Sequence, residues 1–194
     1  MTDFQNSFQL LRTYCEKEKF KGWDPYDGLN SKMFQSIPFL SKNQFFKRSP
    51  INFRNNTLVK KGHNPKGLGL FLREYCNLYL KDPKAEYLVR IKELSNQVIK
   101  LQTKGYSGAC WGYNFDWQAR AFFQPQGTPK VVVTAFIAEA LIASYKITKE
   151  QKYLDAAISS SLFVLNDLNR TYDANGNFSF LGNYWRYILF NYLL

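Results

Sequence analysis

The chain has 194 residues, 45% of them hydrophobic, and a formal net charge of +11 from 26 Lys and Arg against 15 Asp and Glu. With 17 Phe, 13 Tyr and 4 Trp beside only 21% charged residues it is too apolar for a disordered tail, and it is long enough to bury a sizeable core. A single histidine, His63, rules out a His-rich metal site, and Cys15, Cys76 and Cys110 are too few and too unevenly spaced for a disulfide framework or a zinc ribbon.

These absences lead to the expectation of a cytoplasmic protein without metal or other cofactor. No uninterrupted apolar run reaches the roughly 18 residues of a membrane-spanning helix, and no basic segment precedes an apolar one at the start, so neither a span nor a signal peptide is expected.

In chain order, Phe4, Phe8, Leu11 and Cys15 recur at helical spacing and predict a first helix over residues 3–19. Residues 20–31 (FKGWDPYDGLNS) are dense in Gly, Pro, Asp and Asn and predict a turn. Ser31 is a cap for a second helix through Met33, Phe34 and Ile37 that stops before Pro50. Asn64 followed by Pro65 is a helix start, and Leu68, Leu72, Tyr75 and Tyr79 carry that helix to about Lys81. Asp82 and Pro83 restart the chain, and Tyr87, Ile91, Leu94 and Val98 carry the next helix toward Gly105. After an irregular stretch over 105–129, residues 130–146 and 149–169 make a second helical hairpin; its alanines favour helix over strand for the run that begins at Val131.

The two hairpins repeat one another. A shift of 66 residues lays Tyr79 on Tyr145, Tyr87 on Tyr153, Leu88 on Leu154, Val98 on Val164 and Tyr106 on Tyr172 without a gap. Repeated helical hairpins imply a solenoid or a closed toroid.

Residues 28–73 hold nine Lys or Arg and no Asp or Glu. Such a stretch implies an anionic partner, among them phosphate-bearing or uronic sugars and anionic surfaces, or else a solvated basic face. Nucleic acid is the lesser reading, because no C2H2 spacing, RNP-like motif or basic region feeding a heptad accompanies the charge.

Aromatic and acidic residues collect in the loops after each hairpin unit, at 22–28 (GWDPYDG), 105–120 (GYSGACWGYNFDWQAR) and 171–180 (TYDANGNFSF). Stacked hairpins would open these loops at one mouth, bringing together Trp23, Asp24, Tyr26, Asp27, Trp111, Tyr113, Asp116, Trp117, Arg120 and Asp173. Aromatic faces beside carboxylates suit sugars, which offer an apolar C–H face and a rim of hydroxyls. A carboxylate pair can act as general acid and base on a glycosidic bond. Asp116, between Phe115 and Trp117, is the candidate catalytic group, raised by burial or paired with Arg120. Trp111 and Trp117 have core filling as the competing role, and Asp24 and Asp27 have turn capping. Arg48, Asn52 and Arg54 are candidates for gripping an anionic group. His63 is read as a surface residue, and Gly67 and Gly69 do not form a nucleotide loop.

Through YDGLNS, KRSPINFR, NPKGLGLF, WGYNFDWQAR and the GTP before Val131, the chain resembles a family of helical toroid proteins that occur with bacterial and archaeal genes for surface polysaccharide synthesis. The similarity runs from about Trp23 to Phe180. It implies an all-α fold, the helical hairpins of an incomplete (α/α) six-hairpin toroid, related to glycosidases, polysaccharide lyases and epimerases with a sugar site in the mouth. Some members carry a delta-aminolevulinic acid dehydratase label, which fits poorly with a chain that has no βα alternation. The resemblance also implies a sugar-facing loop of Trp111, Tyr113, Asp116, Trp117 and Arg120, with Asp27 and Asn30 beside it.

The combined expectation is a carbohydrate-active or glycan-binding toroid; if an enzyme, it is a hydrolase, lyase or epimerase. The alternative is a noncatalytic scaffold or anionic-surface binding module. Residues 1–180 are expected to form about three hairpins, followed by an atypical apolar tail over 181–194, so a truncated product or a homodimer through open hairpin faces is expected.

Overall fold

A computed structural model describes residues 3–31, 33, 50–118, 123–176 and 178–181. The chain divides into two compact units, Met1–Asn64 and Pro65–Leu194. The expected helix between Ser31 and Pro50, and the tail beyond Leu181, lie outside the described residues.

In the first unit, α1 spans Asp3–Lys17 and buries none of its residues. Its apolar stripe lies open, with Phe4 and Leu11 exposed. The helix ends through Lys19 and Phe20, both in the left-handed region, where the Phe20 N–H returns to the Cys15 carbonyl. Beyond it, a single 3-10 turn covers Asp27–Asn30. Residues 50–64 fold back so that Gly22 and Gly62 exchange backbone hydrogen bonds.

Among the described residues, the second unit contains two helical hairpins. The first consists of α2 (Pro65–Lys81) and α3 (Ala85–Lys100), the second of α4 (Val131–Thr148) and α5 (Gln151–Asp167). Pro65 to Val131 and Ala85 to Gln151 are both steps of 66, so the helix starts obey the sequence repeat. Three contacts orient α2 and α4: the Lys66 ammonium lies 4.8 Å from the Phe136 ring centre, Gly69 abuts Ile137, and Arg73 pairs with Glu139 at 3.5 Å. Both members of these pairs ascend along the chain, so the first helices of the two hairpins run in the same direction. The expected parallel stacking is therefore present.

The core explains the stacking. Leu68, Leu72 and Cys76 of α2, Ile91, Leu94 and Val98 of α3, and Ile137 and Leu141 of α4 are buried. A buried hydroxyl contact, Ser95 to Ser144 at 2.7 Å, ties α3 to α4. By length and composition α4 is apolar enough to cross a membrane, although charged and polar residues interrupt its apolar run. It packs against α2, α3 and α5, which buries 39% of it and leaves Val132, Phe136 and Ile142 exposed.

Among the described residues, four short strands modify the all-α expectation. Trp117–Gln118 (β1) pairs antiparallel with Phe123–Gln124 (β2), and Asn169–Tyr172 (β3) with Phe178–Leu181 (β4). The first pair lies in the stretch read as irregular, whereas β3 begins at Asn169, the last residue of the expected helix, and runs with β4 through the loop expected over 171–180.

Candidate functional site

The candidate residues fall into two groups, one in each unit. In the first unit, Trp23 follows the Gly22 to Gly62 bridge, and its indole N–H donates to the Val59 carbonyl at 2.9 Å. Trp23 and Phe53 pack on buried Val59. The indole forms one wall of an open cleft of about 330 Å³, completed by Asn55, Leu58, Val59, Lys60 and Lys61. The Lys61 ammonium lies 4.7 Å from the Trp23 ring centre and 2.7 Å from Glu18 Oε2. Its hydrogen bond to Glu18 raises Lys61 above the ordinary lysine value.

Asp24 and Asp27 build the loop that presents this wall. Asp24 Oδ1 accepts the Tyr26 N–H at 3.0 Å, and Oδ2 accepts from Asn64 Nδ2 at 3.2 Å. Asp27, 4% exposed, accepts the Asp24 N–H on Oδ2 and the Arg54 Nε–H on Oδ1, the latter at 2.9 Å. Arg54 is buried too and also donates to the Asp24 carbonyl at 3.0 Å. Asp27 therefore does not face a sugar and Arg54 does not grip an external anion: they neutralise one another inside the loop, where an unpaired charge would be costly. Burial raises the Asp24 carboxyl, and the negative charge of Asp27 adds to the rise, while the Tyr26 N–H works against it. Tyr26 and Asn30 are half-buried at the rim of the same turn. Arg48 lies outside the described residues. His63 meets the Lys19 carbonyl at 2.9 Å.

In the second unit, the segment after α3 turns inward. Trp111 is 0% exposed, its indole N–H donating to the Val98 carbonyl at 2.7 Å and its backbone N–H to Thr134 Oγ1 at 3.2 Å. The expectation of a sugar-facing Trp111 is thus corrected: the ring fills the hairpin core, and no face of it is open for stacking. Gly108 makes that path possible, because a Cβ there would stand 1.9 Å from the Ser159 carbonyl oxygen of α5. Asp116 Oδ1 accepts the Gln126 N–H at 2.7 Å and so braces the β1 to β2 hairpin. Arg120, its expected partner, lies outside the described residues.

Tyr113 and Trp117 do come together, edge to face with ring centres 6.1 Å apart. Between them sits Lys130, 8% exposed, with its ammonium 4.5 Å from the Trp117 ring centre, 5.7 Å from that of Tyr113 and hydrogen-bonded to Gln124 Oε1. Burial lowers this ammonium to about 8. Asp173 is exposed in the β3 to β4 turn and accepts the Asn175 N–H.

Reading the sequence missed Lys60, Lys61 and Lys130 as members of these groups. Lys60 and Lys61 carried a signal, an adjacent pair in the acid-free stretch. Lys130 carried none, since its burial comes from rings 13 and 17 residues earlier in the chain. Among the described residues no group of three or more His, Cys, Asp or Glu is placed to hold a metal ion. Burial pushes the thiols of Cys76 and Cys110 up to about 12 and about 11, which suits inert core cysteines. No protein-family model matches the chain, and no curated protein or solved structure matches it.

Proposed function

We propose that this chain binds an anionic saccharide, as a glycan-binding protein of surface polysaccharide metabolism, and that the Trp23 cleft is the binding site. The observation that carries the reading is an indole wall bordered by Lys60 and Lys61 in a cleft of about 330 Å³. That volume lies at the lower end of the roughly 300–1,000 Å³ typical of small-molecule sites. An indole suits the C–H face of a pyranose, and the exposed Lys60 suits a uronate or phosphate substituent, Lys61 being paired with Glu18. The parallel hairpins and their 66-residue spacing support reading the second unit as part of an α/α toroid.

Binding is favoured over turnover because Asp27 and Asp116 are each held by bonds inside their own loops. A second reading, hydrolase, lyase or epimerase chemistry, draws on Asp24, a raised carboxyl beside an Arg-paired one. Calorimetric titration with uronate-containing and neutral oligosaccharides at two salt concentrations tests the first reading. It expects uronate-selective binding that Lys60→Gln weakens. Steep salt dependence without sugar selectivity would instead support a general anionic-surface binder. Bond cleavage abolished by Asp24→Asn would support the enzyme.

A further inference from the structure

The ion pairs Asp27 to Arg54 and Glu18 to Lys61 belong to the same unit but differ in how they are held. Asp27 and Arg54, with side chains 6% and 10% exposed, are locked inside their loop. Glu18 and Lys61, at 27% and 26%, meet at the Trp23 cleft, which Lys61 lines. A pair that open to water adds little to stability, so its presence bears on the charge of the cleft more than on the fold. The backbone sets it there: Glu18 follows α1, the chain turns through the left-handed Lys19 and Phe20, and the Gly22 to Gly62 bridge lays the two segments side by side. The Lys61 ammonium thereby stands 2.7 Å from Glu18 Oε2 and 4.7 Å from the Trp23 ring centre. Lys60 and Lys61 bring two positive charges to the cleft, and Glu18, from outside the acid-free stretch of residues 28–73, removes one.

We propose that Glu18 sets the charge of the ligand this cleft takes: by holding Lys61 it leaves the single positive charge of Lys60, and so matches the site to a singly charged sugar acid over a doubly charged sugar phosphate. The proposal rests on reading the Trp23 cleft as an anionic-saccharide site. A uronate carboxylate is neutralised by Lys60 while Glu18 keeps Lys61. A phosphate ester carries close to two negative charges at neutral pH, and its second charge meets the Glu18 carboxylate rather than a second ammonium. Repulsion of that kind rejects a ligand that the attractive contacts alone would accept. Glu18 is therefore a specificity residue that acts on the ligand through Lys61.

Glucuronate and glucose 6-phosphate, which share a ring and differ at its sixth carbon, test this by titration at low salt, followed at the Trp23 indole N–H resonance. The wild-type chain is expected to bind glucuronate more tightly than the phosphate. Glu18→Gln and Glu18→Ala, each with unchanged helical circular dichroism, are expected to tighten binding by roughly fivefold per negative charge on the ligand, so the preference moves roughly fivefold toward the phosphate. That movement should vanish when Lys61→Gln is added. A wild-type preference for the phosphate, a preference that both Glu18 variants leave in place, or a shift that persists with Lys61→Gln would overturn this inference alone. Absence of binding to either acid by the wild-type chain would overturn the anionic-saccharide reading and this inference with it.

Discussion

The loop around Trp23 and the segment around Trp111 are built from nearly the same materials, tryptophan, tyrosine, aspartate and glycine, yet they end in opposite places. Trp23 keeps one side on an open cleft, because its loop is held by a buried ion pair, Asp27 to Arg54, that leaves the indole at the margin. Trp111 is drawn wholly inside, because Gly108 lets the backbone pass against α5, the indole N–H donates to Val98 of α3 and the backbone N–H to Thr134 of α4. Composition gave both segments the same chemistry. The space beside each decided which one can meet a ligand.

The contrast makes its largest prediction at Trp111. Trp111→Ala should cost about 3–5 kcal/mol, the usual range for emptying a buried aromatic site, measured as a shift in the urea midpoint. A loss below about 1 kcal/mol would mean that the ring is not core. Asp27→Ala comes next: it strands the Arg54 guanidinium in a buried site, with an expected cost of about 3 kcal/mol in the first unit. Amide exchange should accelerate at Asp27, Ser31 and Val59, and unchanged protection there would show that the ion pair does not hold the loop.

Lys130 sharpens the comparison from the other side, as a charge inside the second unit between two aromatic faces. Its folded-state value of about 8 lies below the ordinary 10.5. The unfolded chain therefore binds more protons between those values, and stability rises with pH across that window. Lys130→Met should stabilise the protein at pH 7 by about 1–3 kcal/mol, an upper range set by the shift and reduced by the lost hydrogen bond to Gln124. The advantage should fade as pH rises from about 8 toward 10.5. A variant less stable than wild type at pH 7 would show that the cation–aromatic contacts outweigh the desolvation.

How much of this was legible in the sequence differs between the regions. The hairpins were, because Asn64 with Pro65 and Asp82 with Pro83 punctuate strongly apolar helical stripes, and the repeat spacing fixes the second hairpin from the first. The cores of the loops were not. Whether Asp27 faces solvent or Arg54 depends on a contact across 27 residues, and whether Trp111 stacks on a sugar or on the core depends on where Gly108 lets the chain run. The short strands escaped notice for a similar reason: a two-residue ladder such as β1 to β2 leaves no periodic pattern to read.

The smallest effect on stability carries the functional claim. Lys60 is exposed at the cleft, so Lys60→Gln should change stability by less than about 0.5 kcal/mol. It should nevertheless weaken an anionic sugar. The most direct test is to follow the Trp23 indole N–H resonance, assigned by its loss in Trp23→Phe, during titration with a glucuronate-containing disaccharide and with its neutral counterpart. The account predicts a saturable shift with the uronate that Lys60→Gln weakens several-fold, and little or no shift with the neutral sugar. An indole resonance that stays in place with both sugars, or a uronate response that Lys60→Gln leaves undiminished, would contradict it.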